Sequence, residues 1–293
     1  MTGWTLGVIG GSGLYGVEGL ANARWTRIES PFGAPSDELL IGELGHVRLV
    51  FLPRHGRGHV LPPTAINARA NIDALKRAGC TDVVSIAAVG SLREALAPGA
   101  FVVVDQFIDR TFAREASFFG PGLVAHVSMG DPVCRRLSAH AASAARAAGA
   151  AVVEGGTYLA MEGPQFSTKA ESELYRSWGC DVIGMTGMPE AKLAREAELP
   201  YATVAMVTDY DCWRDVHVEV SHVLEVLQAN AGKAADLIRI LAERLPAERP
   251  ASPIDTALDG AIITAPQARD AAMVAKLSAI AGRALGLSSS AVP

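Results

Sequence analysis

Residues 201 to 213 run Tyr-Ala-Thr-Val-Ala-Met-Val-Thr-Asp-Tyr-Asp-Cys-Trp. The first eight carry no charge and are mostly apolar at every position, as in a strand covered on both faces. Two aspartates separated by one tyrosine follow. In extended chain, residues i and i+2 point the same way. Asp209 and Asp211 are therefore expected on one face at the end of a buried strand, where two like charges are costly unless something compensates them.

Short β-branched runs of the same kind recur in both directions. Expected strands are Thr5–Gly10, Val47–Leu52, Asp82–Val89, Phe101–Phe107, Thr157–Met161, Asp181–Met185 and Tyr201–Thr208. Helical patterns fall between them, over Thr64–Ala78, Pro132–Ala148, Thr168–Trp178, Pro189–Glu198, Val218–Leu245 and Ala268–Leu285. Alternation of this kind predicts an α/β fold, one domain over residues 1–293 with a central mixed β-sheet flanked by helices. Leu245–Pro253, with three prolines, is the only linker-like segment. It joins the last two helices, and residues 254–293 form a C-terminal helical extension.

Composition narrows the classes. The chain has 293 residues, 49% hydrophobic and 19% charged, which supports a sizeable core. A net charge of −5 argues against a nucleic-acid surface. Cys80, Cys134, Cys180 and Cys212 form no C-x-x-C pair, so no metal is expected and reduced thiols in a cytoplasmic protein are. The N-terminal stretch lacks the basic region and apolar core of a signal peptide. No run reaches ~18 apolar residues, so no membrane span is expected.

Four constellations could carry chemistry. Gly10-Gly-Ser-Gly-Leu-Tyr-Gly16 follows the first strand and contains G-x-G-x-x-G. A dinucleotide site would have this pattern, but Gly19 and Pro31-Phe-Gly-Ala-Pro35 leave no room for the helix it requires. A loop whose N–H groups and Ser12 hydroxyl cradle an anion fits better, with a plain tight turn as the alternative. Pro53-Arg-His-Gly-Arg-Gly-His59 places Arg54 and His55 where their donors would meet a phosphate, with Arg57 and His59 peripheral. Ala87-Ala-Val-Gly-Ser-Leu-Arg93 offers small residues and backbone N–H groups at another strand end. Finally, Glu162-Gly-Pro-Gln-Phe-Ser-Thr and Gly184-Met-Thr-Gly-Met-Pro-Glu190 each lead into a helix, and Thr186 lies beside a helix N-terminus, a natural anion site.

"GGSG" at 10–13, "RHG" at 54–56, "EGPQFSTKAES" at 162–172 and "MTGMPEAKLAREAELPYATVAMVTDYDCW" at 185–213 together resemble the methylthioadenosine phosphorylases of the trimeric purine nucleoside phosphorylase superfamily. The order and spacing of the four, spread over most of residues 5 to 225, make the resemblance specific. It implies a phosphorylase/hydrolase-like fold, a homotrimer, and phosphorolysis of a purine nucleoside with inorganic phosphate as co-substrate and no metal or organic cofactor. By position, Ser12, Arg54, His55 and Thr186 would hold phosphate, with the Ala87 and Ala88 backbone helping. Met185 would pack under the ribose and Phe166 against the purine. Asp209 and Asp211 would bind the purine edge. Val220, Val223 and Leu224 would line a methylthio pocket, and His126 would come from a neighbouring subunit.

Departures from the family pattern leave a rival. Ser12 and Ala87 stand where threonines are usual, Gln165 where an arginine is, and Gly187-Met188 replaces Thr-Val. "TGMPEA" is also similar to methylthioinosine phosphorylases, so a 6-oxopurine nucleoside is the alternative substrate. The aspartate pair argues for the 6-amino purine. A carboxylate facing a carbonyl oxygen is repulsive, and an unpaired buried polar group costs ~1–3 kcal/mol. A carboxyl beside N7 with a raised pKa would serve as general acid, and Asp211 is the choice, leaving Asp209 to accept from the 6-amino group. A nicotinamide-dependent oxidoreductase and a non-catalytic nucleoside-binding protein are the readings from other classes.

Overall fold

Runs rich in β-branched and aromatic residues become strands wherever both faces find cover. The structure is a computed structural model and describes residues 3–11, 14, 16–214 and 220–287, without the side chains of 220–224 and 227. Its strands are β1 (Thr5–Gly10), β2 (Ala21–Thr26), β3 (Leu39–Leu44), β4 (Val47–Pro53), β5 (Asp82–Ser91), β6 (Ala100–Val104), β7 (Gln106–Asp109), β8 (Ala151–Glu154), β9 (Thr157–Ala160), β10 (Val182–Gly184) and β11 (Tyr201–Tyr210). The helices are α1 (Ala68–Arg77), α2 (Arg135–Ala147), α3 (Lys169–Ser177), α4 (Gly187–Glu196), α5 (Val220–Arg244), α6 (Ala271–Lys276) and α7 (Ser278–Leu285).

All the strands join one mixed sheet within a single α/β domain. β1, β4, β5 and β11 are parallel, in the order β4-β1-β5-β11. β5 also pairs antiparallel with β10 at its far end. The expected strand Phe101–Phe107 is two strands, β6 and β7, separated by Asp105. The Asp105 carboxylate accepts the Gly156 N–H (2.9 Å), and its own N–H bonds the Gly156 carbonyl (3.2 Å). That break lets the chain change partners, from β11 and β8 to β9. Because β6 and β7 are consecutive, the path β5-β11-β6/β7-β9-β10 closes on itself.

Helices α1, α4 and α7 cover one side of the sheet, and α2 and α5 the other. β2 is exposed along its length and has no alternation, so its sequence carries no strand signal. The expected helix Ala268–Leu285 is broken at the fully buried Leu277 into α6 and α7. Leu245–Pro253 is tied down rather than a free linker. Trp4 Nε1 donates to the Pro246 carbonyl (2.7 Å), and Arg249 bridges Asp255 and the fully buried Asp82. Among the described residues no helix is long and apolar enough to cross a membrane.

α1 starts later than its pattern suggests because Asn67 caps it. Asn67 Oδ1 accepts the Ala70 N–H (3.0 Å), and its Nδ2 donates to the Phe32 carbonyl (2.8 Å). Asn67→Ala should cost about 1 kcal/mol of stability, read as a lowered urea midpoint at unchanged slope.

Candidate active site

The carboxyl ends of β1, β4, β5 and β11 lie on the same side of the sheet, where ligands of α/β proteins bind. A cavity of about 600 Å³ opens there, lined by Gly11, Arg54, His55, Ala87, Ala88, Gly90, Phe166, Met185, Thr186, Asp209 and Asp211 among others. The structure thus brings together most of the residues singled out in the sequence.

Asp209 and Asp211 reach the cavity through a β-bulge. β11 runs in register with β5 to Val207↔Val89 and then resumes at Asp209↔Gly90, which leaves Thr208 as an extra residue. The Thr208 hydroxyl lies 3.2 Å from the Val89 carbonyl and 2.7 Å from Asp209 Oδ1. A regular strand would put Met206 and Thr208 on one face and the aspartates on the other. With the bulge, all four line the cavity. Gly90 makes room for them, since a Cβ there would lie 3.3 Å from Asp209 Oδ2 and 3.4 Å from Asp211 Cβ.

Asp211 is 3% exposed. Burial pushes its carboxyl pKa up, while Ser172, Ser167 and Cys212 pull it the other way. The segment is pinned at both ends of the dipeptide step, because the Asp211 N–H (3.0 Å) and Trp213 Nε1 (2.8 Å) share the Ser91 carbonyl.

Arg54 and His55 line the same cavity. Arg54 is 3% exposed and forms a two-point pair with Glu190, Nε to Oε2 at 3.0 Å and Nη2 to Oε1 at 3.2 Å. His55 Nδ1 lies 2.8 Å from the Leu61 carbonyl, and burial, aided by the Arg54 charge, takes its pKa down to about 4. The ring is therefore neutral at physiological pH. With Nδ1–H donating, Nε2 is an acceptor. That corrects the expectation of His55 as a donor: it suits the hydroxyl of a monoprotonated phosphate. His59, expected to be peripheral, stacks on His55 (4.2 Å between centroids) and lines the cavity. Arg57 does lie away, bound to Asp37 and stacked over Trp25.

Thr186 lines the cavity, but not as the first residue of a regular helix. Met188 is extended (φ −122°, ψ 142°), so regular turns of α4 begin at Pro189, which has no N–H to offer. The Thr186 N–H meets the buried Tyr158 hydroxyl (3.4 Å) instead. Gly184 and Gly187 are dictated by the same ring, since a Cβ at Gly184 would lie 2.0 Å from that hydroxyl. An anion here would meet the Thr186 side chain rather than a row of helix-end N–H groups.

Sequence reasoning missed Arg114. Its Nε donates to Glu162 Oε1 (3.2 Å), and its Nη2 to the Glu162 carbonyl (2.5 Å). Its Nη1 donates to the carbonyls of Met185 and Met188 (2.9 Å for the latter). One side chain thereby ties the loop bearing Phe166 to the turn bearing Met185 and Thr186. No local motif marks it, because all its partners are distant in sequence.

The remaining expectations fall elsewhere. Ser12 is outside the described residues, as are the side chains of Val220, Val223 and Leu224. Ala231 and Ala234, further along α5, line the cavity. His126 lines a separate depression with Phe119, Lys192 and Glu196, and that depression shares no residue with the cavity. Among the described residues no helix lies between β1 and β2, where the dinucleotide pattern would need one. Among the described residues no group of three or more His, Cys, Asp or Glu is placed to hold a metal ion.

Residues 5–243 match the family model of the phosphorylase superfamily. An S-methyl-5′-thioadenosine phosphorylase of Cereibacter sphaeroides is 61% identical over 284 residues, 96% of this chain and 98% of that protein. The enzyme of that name from Rhodospirillum rubrum is 59% identical over 286 residues, 96% and 97% of the two chains. Among solved structures, a methylthioadenosine phosphorylase from an Antarctic soil metagenomic library superposes with a TM-score of 0.90 at 44% identity, covering 96% of this chain and 99% of that one. The Schistosoma mansoni methylthioadenosine phosphorylase, solved in complex with adenine, gives 0.79 at 38% identity, covering 84% and 93%.

Proposed function

This chain belongs to the phosphorylase superfamily, and from that membership we propose that it cleaves S-methyl-5′-thioadenosine with inorganic phosphate, giving adenine and 5-methylthioribose 1-phosphate. It is a pentosyltransferase of the purine nucleoside phosphorylase type, and its place is in purine and methionine salvage. The observation that carries the substrate choice is the carboxyl pair, Asp209 and Asp211, on one wall of the cavity.

The chemistry follows from that arrangement. The C1′–N9 bond breaks with its electron pair going to the purine, and the ribosyl group takes on oxocarbenium character. Asp211, whose carboxyl pKa burial raises, delivers its proton to N7 as the base leaves. Asp209 accepts from the 6-amino group. Phosphate, against Arg54, His55, the Ala87–Ala88 backbone and Thr186, forms the new bond from its oxygen to C1′. Holding nucleophile and sugar in one cavity supplies proximity, and the phosphate charge offsets the developing cation. Met185 supports the ribose and Phe166 the purine face. The reaction supplies its own nucleophile and leaving group, so the proposal includes no metal or organic cofactor.

The 5′-methylthio preference rests on Val220, Val223 and Leu224 by resemblance, with Ala231 and Ala234 adding apolar wall on the same helix. A homotrimer is part of the proposal, since the resemblance gives His126 to a neighbouring copy's cavity and His126 does not line the cavity of its own chain. So is a cytoplasmic location, in keeping with four free thiols, three of them pushed up by burial, to about 12 at Cys80, to about 11 at Cys180 and in the same direction at Cys212.

The test is a panel of methylthioadenosine, adenosine, methylthioinosine and inosine, with and without phosphate. Phosphate-dependent release of adenine, fastest from methylthioadenosine, is expected. Hypoxanthine release without adenine would transfer the proposal to the 6-oxopurine alternative, and base release independent of phosphate would end it.

A further inference from the structure

The guanidinium of Arg54 is almost fully spent inside the protein. Its Nε and Nη2 pair with the two oxygens of Glu190. Nη2 also donates to Ser85 Oγ (2.6 Å), and Nη1 to the Ile86 carbonyl (3.0 Å). Of five N–H donors, one on Nη1 has no partner among the described residues. Glu190 is itself 4% exposed, and its Oε1 also accepts the hydroxyl of the buried Tyr201 (2.7 Å). Tyr201 stands at the start of β11, the strand whose other end carries Asp209 and leads into Asp211.

Burying an ion pair offers little net stability over apolar residues of the same volume. This one is built at the edge of the cavity, with four segments contributing: the turn after β4 through Arg54, β5 through Ser85 and Ile86, α4 through Glu190 and β11 through Tyr201. A planar two-point pair fixes both the position and the plane of a guanidinium. Fixing the plane fixes where the last N–H points.

We propose that Glu190 is a positioning residue for phosphate: together with Tyr201 it locks the Arg54 plane so that a single Nη1 N–H and the local positive charge face the anion. The inference rests on the phosphorolysis proposed above. Glu190 is not among the residues that line the cavity and acts through Arg54, so its loss should be felt by one substrate and not the other.

Steady-state kinetics of Glu190→Gln, an isosteric change, provides the test, with methylthioadenosine and inorganic phosphate varied in turn. The KM for phosphate should rise about 10- to 100-fold, the loss of one or two hydrogen bonds to a charged group. The KM for methylthioadenosine should stay within about 2-fold, since additivity confines the effect to the contacted neighbour. Tyr201→Phe, which removes one neutral donor from Glu190, should give a smaller rise in the phosphate KM alone and provides the measurement should Glu190→Gln not fold. A phosphate KM unchanged in both variants, or the two KM values rising together, overturns the positioning role while leaving phosphorolysis intact. A wild-type protein that releases no base with phosphate overturns phosphorolysis itself, and the positioning role with it.

Discussion

Asp211→Asn should lower kcat for methylthioadenosine phosphorolysis by about 10²- to 10⁴-fold, the range for removing a positioned general acid. The amide keeps the shape of the carboxyl and a donor N–H, but it has no proton to give to N7. Because burial holds the wild-type carboxyl pKa up, the active form is the protonated one, and activity should fall as pH rises through that pKa. The variant should lack this limb. Stability moves the other way. A carboxyl whose folded pKa is raised favours the folded state while protonated and weakens it as pH rises from the unfolded value through the raised one. Asparagine carries no such penalty, so Asp211→Asn should be at least as stable as wild type at pH 7. Unfolding curves at pH 5 and 8 separate lost chemistry from lost structure. Wild-type activity in the variant would remove Asp211 from the mechanism.

Arg114→Met should cost about 3–5 kcal/mol of stability, because it leaves a nearly buried carboxylate without its partner. Glu162 would keep the N–H groups of Phe112 (2.7 Å) and Ala113 (3.3 Å) but not its cation, and four carbonyls would lose a donor. The Phe166 loop and the Met185 turn would no longer share a brace, so the KM for the nucleoside should rise together with the loss of stability. The sign with pH also follows. Phe112, Ala113 and Arg114 hold the Glu162 pKa down against the opposing effect of burial, so its contribution is present above the ordinary glutamate range and is lost as pH falls through the lowered value. Part of that acid sensitivity should disappear in Arg114→Met. Arg114→Lys, with a point charge in place of a fork, should lie between. Unchanged nucleoside KM in a variant measured well below its melting temperature would reduce Arg114 to a structural brace.

Much of the site is local in origin. Arg54 and His55, Ala87 and Ala88, Met185 and Thr186, and the aspartate pair each follow a strand that is legible from its own apolar run, and strand ends of a parallel sheet converge. Elements that satisfy themselves through remote partners left no such mark. β2 is exposed and recognisable only by its pairing with β3. Arg114 looks like any surface arginine until Glu162 and Met185 are folded against it. His59 gains its place from stacking on His55.

The sequence by itself determined the α/β class, the buried strand of residues 201–208, and the presence of two carboxylates two residues apart at its end. Periodicity and chain polarity are enough for that, because side-chain alternation in a strand is a local property. Only the tertiary structure decided which way those carboxylates face. Thr208 bulges because β5 offers Val89 and then Gly90 as successive partners, and that pairing lies well over a hundred residues away along the chain. The same holds for Arg54, whose charge was evident but whose one N–H without a partner among the described residues is set by Glu190, Ser85 and Ile86. Direction and protonation depend on neighbours brought close by folding, and a sequence read along its length does not contain them.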